Sequence, residues 1–99
     1  MSSYLNLLGL AFRANKVSLG EDAILNDIRS GKATLVLIAN DASSNTRKKF
    51  SDKCNSYNVP YRIVGTRAEI SHAIGKEDRV AAAVLDEGFT KKFLQLISD

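Results

Sequence analysis

The chain has no tryptophan and only one cysteine, one proline, one methionine and one histidine in 99 residues. A single cysteine, Cys54, forms no intrachain disulfide, so this is not a disulfide-stapled miniprotein. A lone thiol suits a reducing compartment. One cysteine and one histidine, His72, leave no ligand pair at the spacing a zinc site uses. One proline and six glycines exclude collagen-like and low-complexity chains. No apolar run reaches the roughly 20 residues that a membrane span needs. The apolar start, Met1 to Phe12, lacks the basic leader of a secretory signal, and Ser2 stands where myristoylation needs glycine. These absences predict a soluble, cytoplasmic protein with no membrane partner. Lys and Arg number 14 and Asp and Glu 11, a formal net charge of +3. That permits a polyanionic partner without requiring one. With 44% hydrophobic and 25% charged residues, the length fits a single globular domain over residues 1–99.

Helical spacing recurs first at Leu5, Leu8 and Phe12, beside Leu7 and Ala11. Ser3 is the expected cap, and Arg13 and Lys16 complement the far end. Ser18-Leu19-Gly20-Glu21 matches a capping box and predicts a second helix with Ile24, Leu25 and Ile28 inward. Asp22, Asn26 and Arg29 share its exposed face, and Gly31 is its expected stop. Thr34 to Ala39 is apolar without alternation, which predicts a central strand covered on both faces. A turn over Asn40 to Ser44 leads into a helix with Thr46, Phe50, Cys54 and Tyr57 inward, broken at Asn58-Val59-Pro60. Tyr61 to Val64 reads as a short strand. Thr66-Arg67-Ala68-Glu69 matches a second capping box, opening a helix with Ile70, Ala73 and Ile74 inward and Gly75 at its end. Val80 to Leu85 is another buried strand. Asp86-Glu87-Gly88 reads as a turn before a closing helix built on Phe89, Phe93 and Leu96, with Leu94 and Ile97. The order α-α-β-α-β-α-β-α predicts an α/β fold, a mostly parallel sheet with helices on both faces.

Catalytic constellations are thin. His72 beside Ser71 lacks an orienting third group, and Cys54 sits on an apolar stripe where it reads as buried and inert. The glycines at 9, 20, 31, 65, 75 and 88 form neither a dinucleotide fingerprint nor a phosphate loop. No catalytic residue, metal or cofactor is expected. Binding features are richer. Arg47, Lys48 and Lys49 concentrate charge near a helix start, with Lys53 one turn on and Lys32 just before the central strand. The start of the second helix, at Gly20-Glu21-Asp22, presents free N–H groups of the kind that suit a phosphate. Glu21 or Asp22 can accept the N–H donors of guanine, and Asn26 can both donate and accept. The plainer readings of the same residues are a capping acid and a solvated helix face.

Several motifs together resemble a known family. They include Leu7-Leu8-Gly9-Leu10-Ala11-Phe12-Arg13-Ala14, Gly20-Glu21, Ile28-Arg29-Ser30-Gly31-Lys32-Ala33, Asp41-Ala42-Ser43, Asn45-Thr46, Lys48-Lys49, Asp52-Lys53-Cys54, Val59-Pro60 and Ala73-Ile74-Gly75-Lys76. In combination, over nearly the whole chain, they resemble the bacterial YlxQ-like branch of the ribosomal protein L-seven-Ae superfamily. That resemblance implies a three-layer α/β/α sandwich with a four-stranded mixed sheet, whose short extra strand comes from the segment around Lys16-Val17. It implies a noncatalytic binder of kink-turn RNA, ribosome-associated and working on structured RNA, with ribosomal RNA among its candidate partners. By the family's arrangement the first RNA surface falls at Gly20, Glu21, Asp22, Asn26 and Arg29, with Lys32 beyond. The second falls at Val64, Gly65, Thr66 and Arg67, and the segment from Asn40 to Arg47 borders it, with Lys48 and Lys49 adding charge. Where the family's archaeal signature carries Asn-Glu and then Lys, this chain has Asp22, Ala23 and Asn26. A monomer is expected. The alternative is a protein-interaction adaptor or homodimer using the first helix or the helical face that carries Tyr57.

Overall fold

The computed structural model describes residues 3–97. Nine elements follow in order: α1 (Ser3–Arg13), β1 (Val17–Ser18), α2 (Glu21–Ser30), β2 (Leu35–Ala39), α3 (Ser44–Ser56), β3 (Tyr61–Val64), α4 (Arg67–Ile74), β4 (Ala81–Val84) and α5 (Glu87–Leu96). The strands form one mixed sheet in the order β1-β4-β2-β3. All five residues of β2 and all four of β4 are buried, so both faces of the inner strands are covered. α1 packs with α4 and α5, and α2 packs with α3, which gives the α/β/α layering. Leu8, Ile24, Ile28, Phe50, Ile70 and Phe93 fill the two interlayer spaces with 2% exposure or less.

The sheet is mixed rather than mostly parallel. β2 and β3 run parallel, but β4 is antiparallel to both β1 and β2. The cause is local. A parallel crossover must return the chain to the far end of the sheet before the next strand. Here the Ser71 hydroxyl accepts the Arg79 N–H at 2.8 Å, and the Ala39 N–H donates to the Val80 carbonyl at 2.8 Å. The chain therefore enters β4 at the end where β2 and β3 finish.

Other expectations divide. The capping box at Thr66–Glu69 forms in both directions, and Gly31 and Gly75 close their helices in the left-handed region. The box at Ser18–Glu21 does not form. Ser18 is committed to the ladder opposite Ala83, its hydroxyl is buried without a partner, and Gly20 occupies the cap position with φ 91. A positive φ at this turn is one that glycine tolerates and a capping serine does not. α1 includes Ser3 as its first residue, and the capping role expected of that side chain lies outside the described residues. Tyr57 is 45% exposed rather than inward, because it stands past the last turn of α3, where Asn58 takes φ 58 and swings the chain out. Asp86 is a helix cap rather than part of a free turn: its carboxylate accepts the Phe89 N–H at 2.9 Å. Leu94 and Leu96 face solvent, while Phe93 and Thr90 carry the buried side of α5.

Candidate nucleic-acid interface

The register decides which loops meet. Val17 and Leu35 both lie opposite Val84, and Ile38 lies opposite Ala81 and Ile63. One end of the sheet therefore gathers the exits of β1, β2 and β3 and the entrance to β4. The segments Gly20–Asp22, Asn40–Ser43, Gly65–Arg67 and Lys76–Arg79 lie at this end. The opposite end carries Lys16, Lys32 and the α3–β3 connection.

At the loop end, a cleft of about 220 Å³ opens between α2, α3 and the entrance to β4. Gly20, Glu21 and Ile24 line one wall, Thr46 and Phe50 the second, and Asp78 and Arg79 the third. Glu21 is exposed, and its carboxylate accepts the Lys49 ammonium at 2.8 Å, which ties the α2 start to α3. Asp22 is exposed beside it. Lys48 pairs with Asp52 at 2.9 Å, and the hydrogen bond and charge of that carboxylate hold its ammonium above the ordinary value. Arg47 is exposed on the same helix and has no ion pair among the described residues.

The β3–α4 loop is pinned on all sides. The Gly65 N–H donates to the Tyr4 hydroxyl, the Thr66 N–H to Glu69, and the Arg67 N–H to Asp41, each at 2.8 Å. The Arg67 guanidinium reaches Asp78 at 3.2 Å, bridging to the loop before β4. Val64 is 7% exposed, so it enters this surface with its backbone and not its side chain.

The expected residues thus fall into two groups. Gly20, Glu21, Asp22, Lys48, Lys49, Arg47, Gly65, Thr66 and Arg67 meet at the loop end. Asn26 lies one turn down α2, and Arg29 lies about 12 Å along the helix axis from Glu21. Lys32 follows Gly31 at the opposite end of the sheet, where Thr34 joins Val84. Arg29 and Lys32 are exposed but do not converge with the rest.

Asp41 lies in the Asn40–Arg47 segment expected to border the site, whereas Arg79 and Tyr4 are not among the residues the sequence singles out. Arg79 is the informative one. Its Nε is buried without a hydrogen-bond partner, and its guanidinium has no ion pair among the described residues. A cation held this way in a cleft is available to an incoming anion. Cys54 is buried, and desolvation pushes its thiol up to about 11, which fits inert packing. Among the described residues, no group of three or more His, Cys, Asp or Glu can hold a metal ion. No helix among them is long and apolar enough to cross a membrane.

A layered α/β/α domain that gathers charged loop residues at one end of its sheet, around a cleft where the Arg79 guanidinium has no ion pair among the described residues, is the form of a binding protein. The comparisons sharpen the class. Residues 3–94 match the Ribosomal protein L7Ae/L30e/S12e/Gadd45 family, and the chain belongs to that family. It is 55% identical over 91 residues to the RNA-binding protein YlxQ of Bacillus subtilis (strain 168), covering 92% of this chain and 91% of that protein. It is 47% identical over 93 residues to the RNA-binding protein YlxQ of Enterococcus faecium, covering 94% and 89%. A solved protein of unknown function from Bacillus halodurans C superposes with a TM-score of 0.95 at 41% identity, covering all of both chains. Both of these bacterial relatives are named as RNA-binding proteins.

Proposed function

We propose that this chain is a noncatalytic RNA-binding protein that recognises structured, kink-turn-like RNA with the loop end of its sheet. It acts as a monomer in the cytoplasm, in association with the ribosome. The observation that carries the reading is one cleft lined by the α2 start, Asp78 and Arg79, whose guanidinium has no ion pair among the described residues, with Lys49 tied to its rim through Glu21 and Arg67 through Asp78. Kinship with RNA-binding relatives supports it. Each group has a chemical role. Arg79, Arg47 and Lys48 face phosphates. Glu21 and Asp22 accept from base edges exposed where a duplex bends, and Gly20 lets the backbone approach. Asn26 extends that contact along α2. Arg29 and Lys32 reach only RNA that continues past the helix.

The test is titration of the protein with a kink-turn RNA and with a straight duplex of equal length at two salt concentrations. The kinked RNA binds tighter at both. For each RNA, log K falls by about 0.7–0.9 per phosphate contact as log salt rises. Equal affinity for the two RNAs ends the kink-turn reading. The competing reading, an interaction module or homodimer, has the exposed Tyr57 and Leu10 in its favour. It is selected if the protein elutes as a dimer in size exclusion and binds neither RNA.

A further inference from the structure

We propose that Tyr4, far from the loop in sequence, is a positioning residue that pre-shapes the Gly65–Arg67 loop for RNA. The proposal rests on the RNA-binding reading above. The three consecutive amides of this loop are each held by a side chain from a different place: Tyr4 on α1, Glu69 on α4, and Asp41 in the β2–α3 loop. The Asn40 N–H spans the Val64 and Gly65 carbonyls at 3.0 and 2.8 Å. A loop tied at every amide has no backbone donor to offer an anion there. What it presents outward is the Arg67 side chain, in one direction, beside Asp78.

Two of the three ties follow from neighbouring structure: Glu69 closes the α4 capping box, and Asp41 lies in the adjoining loop. Tyr4 is different. It is 61 residues away, and the helix that carries it needs no hydroxyl to pack. Its ring is half-buried against the core, so the ring is the packing group and the hydroxyl is the tie. The sequence at Gly65 is fitted to that tie. A Cβ there would come within 2.6 Å of the Tyr4 oxygen and 2.5 Å of the Glu69 carboxylate. Glycine at this position admits both acceptors to the loop. Release of the tie lets the free loop sample other shapes, and RNA must then re-order it on binding.

Tyr4→Phe keeps the ring and removes the oxygen. A neutral hydrogen bond shifts a local equilibrium by about two- to twelvefold. Amide exchange at Gly65 in the full chain should speed up by that factor. Affinity for a kink-turn RNA should fall by the same factor, with affinity for a straight duplex unchanged. Gly65→Ala, whose Cβ displaces both acceptors while Tyr4 keeps its hydroxyl, should reproduce both effects. Unchanged exchange at Gly65, or faster exchange with undiminished kink-turn binding, overturns the proposal. So does an equal loss on both RNAs, which marks a general structural role. If the wild type binds both RNAs equally, kink selectivity fails on its own. Tyr4 then stands only if the variant's affinity for the shared probe drops in step with exchange, and falls if it does not.

Discussion

Glu21 offers the sharpest separation between a structural and a recognising carboxylate. Its partner is Lys49 at 2.8 Å, and both side chains are close to half-exposed, at 48% and 49%. A pair so placed contributes about 0.2–1 kcal/mol to stability. The capping box that would have given it a further structural role is absent. Glu21→Gln should therefore lower the melting temperature by no more than about 4–8 °C, the shift that 1 kcal/mol gives a domain of this size. The effect on recognition is set by a different quantity. A carboxylate that accepts from a base edge contributes about 1–3 kcal/mol of discrimination, or about 5- to 150-fold. The assay is paired: fluorescence anisotropy on kinked and straight RNA, with thermal unfolding on the same samples. The preference for kinked RNA should collapse while the fold persists. Two results refute the reasoning: a preference that survives Glu21→Gln, or a melting loss well beyond 8 °C, which would make Glu21 a structural residue after all.

Three more outcomes can be measured. Arg79→Gln removes a guanidinium with no ion pair among the described residues, so stability should hold while affinity for all RNAs drops and the salt slope shrinks by about one contact's worth, roughly 0.7–0.9; an unchanged slope removes Arg79 from the interface. Thr34 and Thr90 share a 2.7 Å hydrogen bond between β2's approach and α5, so Thr34→Val should cost about 1–3 kcal/mol in denaturant unfolding, and adding Thr90→Val should cost less than the sum. Cys54 titrates near 11 in the native protein against 9.0 ordinarily, so the unfolded chain loses its thiol proton first. Its contribution is intact below pH 9 and falls by about 2–3 kcal/mol as pH rises to 11. Cys54→Ala should lack that decline when the two proteins are compared by chemical unfolding across the alkaline range.

The elements were legible in the sequence because each is fixed by local chemistry. β2 shows as an apolar run because both of its faces are covered, and α4 shows because Thr66 and Glu69 cap it within one turn. The failures come where a residue's partner lies on another element. Ser18 has the spacing of a cap, but a two-residue strand against β4 claims its backbone first, and two residues carry no period. Tyr57 fits the inward spacing of α3, but the helix ends one residue before it. Periodicity reads the face of a helix and is silent on where its last turn falls.

The same limit shaped the view of the site. An alternating order of strands and helices invites parallel crossovers, and a parallel β4 would begin at the end of the sheet that carries Lys32. Arg79, the residue before Val80, would then lie far from Gly20. The antiparallel entry of β4 reverses this and brings Arg79 to the wall facing Glu21, while Lys32 stays at the opposite end, apart from the residues it was grouped with. The direction of one four-residue strand therefore exchanges one cation of the proposed interface for another. No pattern within Ala81–Val84 encodes that direction. It is set by the Ser71 hydroxyl holding Arg79 and by Ala39 bonding Val80, contacts spanning 8 and 41 residues. Composition can count the cations of such a protein, but only these ties determine which of them share a partner.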